Sequence, residues 1–214
     1  MKESIFVICA HSDDQILGPG GTLAKYAKEG KEIFTIIFSY GETSHVWLKK
    51  KVSAEIRVKE AQNADKVIGG SGVVFFGLKE GKFFEEVKNK DIKDKVKKLL
   101  KEKKSSRIFT HVPDDVHEDH RAVYKIVNEI LDEINYKGDL LGFDVWNAVN
   151  IRKRHLPKVY IDISSTFRIK LKALHCFKSQ FLAMLPPYLG VYINAFMNGL
   201  KNDCKYAEKF YKIK

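Results

Sequence analysis

The amino-acid sequence predicts an α/β fold in which a mostly parallel sheet is covered by helices on both faces. Short apolar runs that fit buried strands alternate with segments of helical periodicity. The segments between successive runs are too long for hairpins, which favours parallel strands joined by helices. A chain of 214 residues with 44% hydrophobic residues can bury one substantial core. We therefore expect a single domain, residues 1–214, with a Rossmann-like three-layer fold.

Six apolar runs are predicted to be strands. The first, SIFVICA, and the second, EIFTIIFS, have the composition of strands that are buried on both faces. In chain order the predicted strands are 4–10, 32–39, 73–76, 107–111, 140–149 and 158–163.

Five segments are predicted to be helices because their apolar residues recur at helical spacing. The stripe is clearest in 119–134, with Val123, Ile126, Val127, Ile130 and Leu131. The lysine-rich segment 88–104 turns Ile92, Val96, Leu99 and Leu100 inward and its charged residues outward. In chain order the predicted helices are 20–30, 52–68, 88–104, 119–134 and 165–182.

The charge balance favours anionic partners. The formal net charge is +11, from 38 basic and 27 acidic residues. Phosphorylated or acidic small molecules, nucleic acid and a membrane surface all fit this balance. The densest basic stretches are 49–51 and 88–104, and the second is interpreted as the solvated face of a helix. No nucleic-acid-binding motif accompanies it, so we expect no nucleic-acid partner.

The cysteines and the N-terminus indicate a cytoplasmic protein. Cys9, Cys176 and Cys204 are odd in number and lack paired spacing, which favours reduced thiols. The first four residues lead directly into a short apolar strand, without the longer apolar region of a signal peptide.

The segment 181–200 has no charged residue and is long enough to span a bilayer. However, it contains Pro186-Pro187 near its middle, two asparagines and two glycines. We interpret it as a buried or interface-forming loop and helix near the active site, with no membrane span. It could supply a subunit contact in a homo-oligomer.

Polar residues capable of catalysis follow the first and fourth predicted strands. The sequence AHSDDQ occupies 10–15, and HVPDDVHEDH occupies 111–120. In open parallel sheets, ligands bind beyond the carboxyl ends of the strands. Both clusters are therefore expected at the ligand-binding edge, although either aspartate pair could instead cap the helix that follows it.

The residue types in these clusters suit a catalytic metal. Such sites use three protein ligands, often two histidines and a carboxylate, and leave one position open for water. His117 and His120 are three residues apart at the start of a predicted helix and face the same way. Asp13 and Asp14 are adjacent and point apart, so one can bind a metal while the other takes a proton from the attacking water.

These motifs resemble the LmbE-like, or PIG-L, family of zinc-dependent N-acetylglucosaminyl deacetylases. The first family motif, A-H-P-D-D-E, reads AHSDDQ here and is followed by GGTLA at 20–24. The second, P-x-D-x-H-x-D-H-R, is matched by Pro113, Asp115, His117, Asp119, His120 and Arg121. An R-x-x-E-A helix is matched by Arg57, Glu60 and Ala61, and late K…SQ and A-E-x-F signatures by Lys172, Ser179-Gln180 and residues 207–210.

The resemblance implies an LmbE-like deacetylase domain that hydrolyses the acetamido group of an N-acetylglucosamine-type sugar or conjugate. It implies that zinc is held by His11, Asp14 and His120, with Asp13 as general base. It also implies that His117, as an imidazolium oriented by Asp119, stabilises the oxyanion. Arg57 would bind polar groups or a phosphate of the substrate. Iron(II) suits the same donor set.

Two positions depart from the family motif. Ser12 replaces a proline and is expected to change the stiffness of the loop. Gln15 replaces a glutamate, so the rim of the site is expected to lose one negative charge, with an effect on substrate binding. Neither change removes an implied ligand or base.

Other candidate residues have weaker support. Gly18-Pro19-Gly20-Gly21 lacks the phosphate-loop pattern and is interpreted as a tight turn into a helix. His111 either lines the pocket or is a simple strand-end histidine, and His45 is a candidate substrate contact. His155 and His175 are interpreted as surface or packing residues, and Trp47 and Trp146 have no assigned role.

Two other functions remain open at this point. A metal phosphoesterase acting on nucleotides or phosphosugars fits the clustered aspartates and histidines and the positive charge, and such enzymes often hold two metals. A non-catalytic sugar- or nucleotide-binding protein is supported only by Gln15. The aglycone of the sugar also remains open, with a weak preference for phosphate.

Overall fold

One seven-stranded sheet organises the computed structural model of the protein, which describes residues 2–41, 50–89, 91–145 and 154–214. The strands are β1 (Ser4–Cys9), β2 (Glu32–Ile37), β3 (Gly72–Phe75), β4 (Ser105–His111), β5 (Asp139–Phe143), β6 (Lys158–Asp162) and β7 (Ala207–Lys212). The helices are α1 (Asp14–Leu17), α2 (Gly20–Lys28), α3 (Lys50–Ile68), α4 (Phe83–Asn89), α5 (Ile92–Glu102), α6 (Glu118–Glu133), α7 (Phe167–Leu174) and α8 (Phe181–Leu200). A 3₁₀ turn, Lys178–Gln180, precedes α8.

The sheet is mostly parallel, as the sequence predicts. Its strand order is β3-β2-β1-β4-β5-β7-β6. The pairs among the first five strands of this order are parallel, whereas β7 is antiparallel to both β5 and β6. Sequence analysis did not identify β7.

Residues of β1 alternate between two separate cores. Ile5, Val7 and Cys9 face a core formed with α1, α2, α3, α7 and α8. Phe6 and Ile8 face the other core, formed with α4, α5 and α6. Because both faces of the strand are buried, its sequence is continuously apolar rather than alternating. Each core lies between the sheet and a layer of helices, so the fold has three layers: helices, sheet and helices.

Two predicted helices differ from the observed ones. The predicted helix 88–104 is wrong in its first part: α4 ends at Asn89 and α5 begins at Ile92. Asp91 has φ 49°, a left-handed conformation that a right-handed helix cannot contain. The predicted helix 165–182 ends earlier, because α7 stops at Leu174.

The segment 181–200 is one continuous helix, α8, rather than a loop followed by a helix. Its backbone remains helical through Pro186-Pro187. Val191 and Ala195 anchor it in the core, and such packing supplies most of the stability of a helix. In the part of the chain that the structure describes, no helix has the combined length and apolar character needed to cross a membrane.

The order of strands places the candidate site. From β1 the chain moves to β2 and β3 on one side and later returns to β4 on the other. The reversal creates a crevice outside the carboxyl ends of β1 and β4. The two polar clusters follow these strands and therefore meet there.

The carboxyl group of Asp65 in α3 is buried, so its titration affects the stability of the fold. Burial raises the pKa of Asp65 to about 6, although the Thr35 hydroxyl donates a hydrogen bond to its Oδ1. Its pKa in the unfolded chain is about 3.9, so the folded state holds this proton more tightly. The carboxyl group therefore contributes stability that is present below about pH 4 and is lost as the pH rises through about 6.

We predict that the variant Asp65→Asn does not lose stability as the pH rises through about 6. Relative to the variant, the wild-type free energy of unfolding should fall by about 2–3 kcal/mol between pH 4 and pH 8. Denaturant unfolding at several pH values measures the difference. Glu55→Gln, at an exposed position of the same helix, serves as the control and should parallel the wild type. If the free energy of unfolding of Asp65→Asn fell with pH as that of the wild type does, the raised pKa of Asp65 would be contradicted.

Candidate active site

The first cluster lies in the turn between β1 and α1. The His11 backbone N–H donates to Asp14 Oδ2 at 2.8 Å, which closes the turn. Asp13 immediately precedes α1, and its carbonyl accepts from the N–H groups of Ile16 and Leu17. The Asp14 side chain is buried, whereas the Asp13 side chain is 16% exposed. The two adjacent carboxylates therefore have different environments, one enclosed and one open to solvent.

The second cluster lies between β4 and α6. His117 precedes α6, and its Nδ1 accepts from the Asp119 N–H at 3.2 Å. The Asp115 side chain accepts from the His117 N–H at 2.9 Å. This N-terminal capping arrangement points Asp119 and His120, in the first turn of α6, toward the β1 turn.

Three side chains from the two clusters converge on one point. His11 Nδ1 lies 3.4 Å from Asp14 Oδ2, His120 Nε2 lies 3.4 Å from Asp14 Oδ1, and the two ring nitrogens are 3.3 Å apart. Ligands at bond lengths of about 2.0–2.1 Å in a tetrahedron are separated by about 3.3–3.4 Å. The donor set and its spacing therefore fit a divalent metal ion.

Each of these histidines also has a carboxylate beside its other ring nitrogen. His11 Nε2 is 3.3 Å from Asp119 Oδ2, and His120 Nδ1 is 3.1 Å from Asp115 Oδ1. Metal-binding histidines commonly place their second nitrogen against a carboxylate, which fixes the ring and makes it a better ligand. This second observation supports the same metal position.

The electrostatics of the site favour positive charge. Burial opposes charge on Asp14, but the surrounding histidines hold its pKa well below the usual range. Burial likewise opposes protonation of His11, but hydrogen bonds to Asp119 and Asp14 raise its pKa to about 10. The pKa of His120 is raised to about 9 by Asp14 and Asp115, against the effect of burial. The negative potential that favours protons on these two rings also favours a metal cation.

Other groups of donors overlap with this one. Among the described residues, His11, His117 and Asp119 form a second group, and His111, Asp115 and His120 form a third. Each shares one histidine with the central group. The arrangement is therefore most consistent with a single metal at the centre.

His111 lies behind the site. Its side chain is fully buried, its Nε2 accepts from the Ala10 N–H at 3.1 Å, and its ring stacks on His120 at 3.9 Å. Burial and the nearby charge of His120 lower its pKa to about 4. Of the two interpretations left open by the sequence, the structure supports a packing role: a neutral ring that holds His120 in place.

Arg57 reaches the site from α3. Its Nη2 lies 3.5 Å from Asp13 Oδ1, and its side chain is 3% exposed. Its Nε and Nη1 are buried and have no hydrogen-bond partner within the described ranges. Buried donors of a charged group are costly when unpaired, so these atoms are suited to an acceptor on a bound molecule.

Asp119 contacts His117 through its backbone N–H, and the predicted roles of both residues stay predictions. The Asp119 carboxylate contacts His11 Nε2 and accepts from the Gly81 N–H at 2.8 Å; its backbone, not its carboxylate, bonds to His117. Burial and the charges of His11 and His120 lower the pKa of His117. His117 Nδ1 accepts from a backbone N–H, which leaves Nε2 to carry a proton.

The expectation that Gln15 lies on the rim is wrong. The Gln15 side chain is fully buried, and the Cys9 thiol donates to its Oε1 at 4.0 Å. Ser12 is fully buried as well. Both departures from the family motif thus lie beneath the site. His155 and His175 are exposed, while His45, Trp47 and Trp146 lie outside the described residues.

Sequence analysis missed a buried ion pair that holds the β1–α2 region. Lys170 Nζ donates to the Leu17 and Gly18 carbonyls and to Glu208 Oε1, at 2.8, 2.8 and 2.6 Å. Glu208 also accepts from the N–H groups of Gly21 and Thr22 at the start of α2. Glu208 lies within the late A-E-x-F signature, whereas no sequence signal indicates Lys170, which is two residues from the exposed Lys172.

This ion pair clamps the turn between α1 and α2, directly after the short helix that begins at Asp14. α1 ends at Leu17 and α2 begins at Gly20, so the predicted tight turn at 18–21 is present. A Cβ atom on Gly18 would lie 2.3 Å from the Phe143 ring, which explains the need for glycine.

A groove of about 330 Å³ adjoins the site beyond Asp119. Its lining includes Gly81, Phe84, Glu118, Arg121 and Lys125. The groove therefore offers charged groups and an aromatic ring next to the candidate metal site.

Residues 6–131, more than half of the chain, match the family described as PIG-L: GlcNAc-PI de-N-acetylase. The chain belongs to the PIG-L family. The expectation drawn from the two sequence motifs is thereby confirmed.

The PIG-L relatives differ in their named activities. A probable N-acetyl-alpha-D-glucosaminyl L-malate deacetylase 2 from Bacillus cereus is 28% identical over 86% of this chain and 87% of its own. A diacetylchitobiose deacetylase from Thermococcus kodakarensis is 25% identical over 96% and 81%. The solved 4-carboxy-2-hydroxymuconate hydratase from Pseudomonas putida aligns with a TM-score of 0.83 and 20% identity over 99% and 96%.

We predict that Lys170→Met destabilises the protein by about 3–5 kcal/mol, because it leaves the Glu208 carboxylate buried without a counter-charge. The double variant Lys170→Met/Glu208→Gln should recover part of this loss. Lys172→Met, two residues away at an exposed position, should have little effect. Denaturant unfolding measures all three. Equal effects of the two single lysine variants would show that the clamp is unimportant.

We also predict that metal uptake releases protons. The raised pKa values of His11 and His120 mean that a metal competes with protons for these rings at pH 7. Titration calorimetry at pH 7 in buffers of different ionisation enthalpy should show at least about one proton released per metal, with affinity falling as the pH falls. Metal affinity that is independent of pH would contradict this protonation state.

Proposed function

We propose that the protein is a metal-dependent N-deacetylase that hydrolyses the acetamido group of an N-acetylglucosamine-type sugar or sugar conjugate. Membership of the PIG-L family and the two deacetylases among its relatives support the reaction. The observation that carries the proposal is the division of labour between neighbouring aspartates. Asp14 faces His11 and His120, whereas the partly exposed Asp13 belongs to none of the donor groups found among the described residues.

His11, Asp14 and His120 would hold the metal. When bound, a metal of this kind acidifies water and polarises a carbonyl group. Asp13, as general base, accepts a proton from the water whose oxygen attacks the acetamido carbon. The C–N bond then breaks, and Asp13 returns the proton to the leaving nitrogen, which gives acetate and a free amine.

His117 is proposed to stabilise the oxyanion of the tetrahedral intermediate. Its Nδ1 is occupied by the Asp119 N–H, so its Nε2–H is available to donate a hydrogen bond. A neutral donor suffices for this role. The Asp119 carboxylate also orients the His11 ring, and Arg57 contributes to substrate binding the N–H groups that have no partner among the described residues. Gln15, fully buried, would affect the substrate only through the residues above it.

Zinc is the proposed metal. Two histidines and a carboxylate are compatible with both zinc and iron(II). The donor separations of 3.3–3.4 Å fit the tetrahedral arrangement that zinc prefers.

The substrate is proposed to be a small acetylated amino sugar. A phosphate or carboxylate on the aglycone is compatible with the Arg57 donors that no described residue pairs and with the net charge of +11. We propose that residues 1–214 act as one deacetylase domain, since β7 near the end of the chain pairs with β5. A cytoplasmic location is consistent with the three free cysteines.

We predict that Asp13→Asn lowers kcat by about 10²–10⁴-fold while the variant still binds one metal. His120→Ala should lose both the metal and the activity. Acetate release from a panel of acetylated amino sugars, with and without phosphate, gives the activity, and elemental analysis gives the metal content.

Asp94→Asn, at an exposed site on α5, is the matched control and should behave as the wild type. Full activity in chelated protein would refute the metal-dependent mechanism. Two metals per chain would favour the phosphoesterase alternative, and sugar binding without turnover in metal-replete protein would favour a non-catalytic role.

Hydration of an unsaturated acid is the second candidate. It is supported by the close structural likeness to the Pseudomonas putida hydratase, which spans 99% of this chain. Both reactions add water, so the same base would serve either one. Acetate release with no change in the ultraviolet absorbance of an unsaturated dicarboxylic acid separates deacetylase from hydratase.

A further inference from the structure

Helix α8 presents a continuous apolar stripe to solvent. Six large hydrophobic side chains on one side of the helix are each 45–63% exposed. They are Leu189, Tyr192, Ile193, Phe196, Met197 and Leu200. Single exposed hydrophobic residues are ordinary, but a contiguous group on one face marks an interaction surface. We call this group the α8 stripe.

The opposite side of α8 is already used. Val191 and Ala195 pack into the core shared with α1, α2, α3 and α7. The helix is therefore held in place by its inner face, and the α8 stripe is not a surface that the fold itself needs to cover. Within the described part of the chain, no other helix exposes so many large hydrophobic residues.

The spacing of the α8 stripe suits a second helix. Leu189, Ile193, Phe196 and Leu200 are separated by four, three and four residues, the spacing of a helix–helix seam. The full stripe has successive separations of three, one, three, one and three residues, which read the same in both directions. An identical helix running antiparallel can therefore place each residue of the stripe against its counterpart.

Charge and area also point to a second copy of the chain. The protein carries a net charge of +11, which opposes self-association, yet α8 has no charged residue. Two such helices can meet without like-charge repulsion at the seam. With about half of each side chain exposed, the stripe presents on the order of 600 Å². Two copies would bury roughly 1,200 Å², the lower limit for a specific interface.

We propose that the α8 stripe packs against the α8 stripe of a second copy, with the two helices antiparallel about a two-fold axis. The axis passes between Asn194 and Ala195. Leu189 of one copy then faces Leu200 of the other, and Ile193 faces Phe196. Such a contact is self-complementary and closes after two subunits.

Helices that lie on membranes carry lysine and arginine along their polar face, and α8 has neither.

Sedimentation equilibrium tests the association. The wild type at micromolar concentration should show twice the chain mass of 24.6 kDa. Phe196→Glu should weaken the association at least 100-fold, and so should Leu200→Lys, at the last residue of α8, which serves if the first variant fails to fold by circular dichroism. Val67→Glu, at an exposed hydrophobic position on α3, is the control and should remain dimeric.

Disulfide cross-linking tests the antiparallel arrangement in a Cys176→Ser/Cys204→Ser background. A mixture of Leu189→Cys and Leu200→Cys chains should cross-link, and neither chain alone should do so. Cross-linking of Leu189→Cys with itself would overturn the antiparallel arrangement.

In the sedimentation experiment, a monomer at 100-fold higher concentration, a trimer, or a dimer unaffected by Phe196→Glu would overturn the proposal. Flotation with phosphatidylserine vesicles that is lost in Phe196→Glu would assign the stripe to a membrane instead.

Discussion

The buried Asp14 carboxylate is the constraint on which the site depends. It lies within 3.4 Å of ring nitrogens from His11, His111 and His120, and it also accepts from the His11 backbone. A carboxylate removed from water is costly unless nearby positive charge compensates it. In this site the compensation comes from protons on histidines or from a metal cation. The same requirement explains why the adjacent Asp13, which remains partly exposed, is free for a different task.

The fold satisfies this constraint by bringing together two turns that are distant in sequence. β1 and β4 are neighbours in the sheet although about a hundred residues separate them. The strands β1 and β4 end at the site, and the helices α1 and α6 begin there, so the side chains lie at the ends of regular elements rather than on long loops. The Lys170–Glu208 clamp adds a third attachment, since it joins the turn between α1 and α2 to α7 and β7. Its contribution to the site is positional, because neither residue belongs to the metal-binding groups found among the described residues.

Residues adjacent to strand ends could be predicted from the sequence, and those defined by tertiary contacts could not. His11, Asp14 and His120 follow predicted strands in a recognisable motif, and the structure brings them together. By contrast, Lys170 and Lys172 both belong to α7, and only the packed structure shows that Lys170 points inward. The pairing of Asp119 with His11 rather than His117 depends on the entry angle of α6. The break at Asp91 depends on one backbone conformation that apolar periodicity does not record.

The position of Gln15 shows how a departure from the family motif can alter the charge of a site without entering it. The side chain is fully buried next to Cys9. A glutamate there would add a second buried carboxylate to the turn that carries Asp14, and it would need its own compensating charge. The neutral amide avoids that requirement. Asp13 then remains the carboxylate that contacts Arg57, whose Nε and Nη1 stay unpaired within the described residues. An acceptor bound beside Asp13 would therefore meet two donors that no described residue occupies.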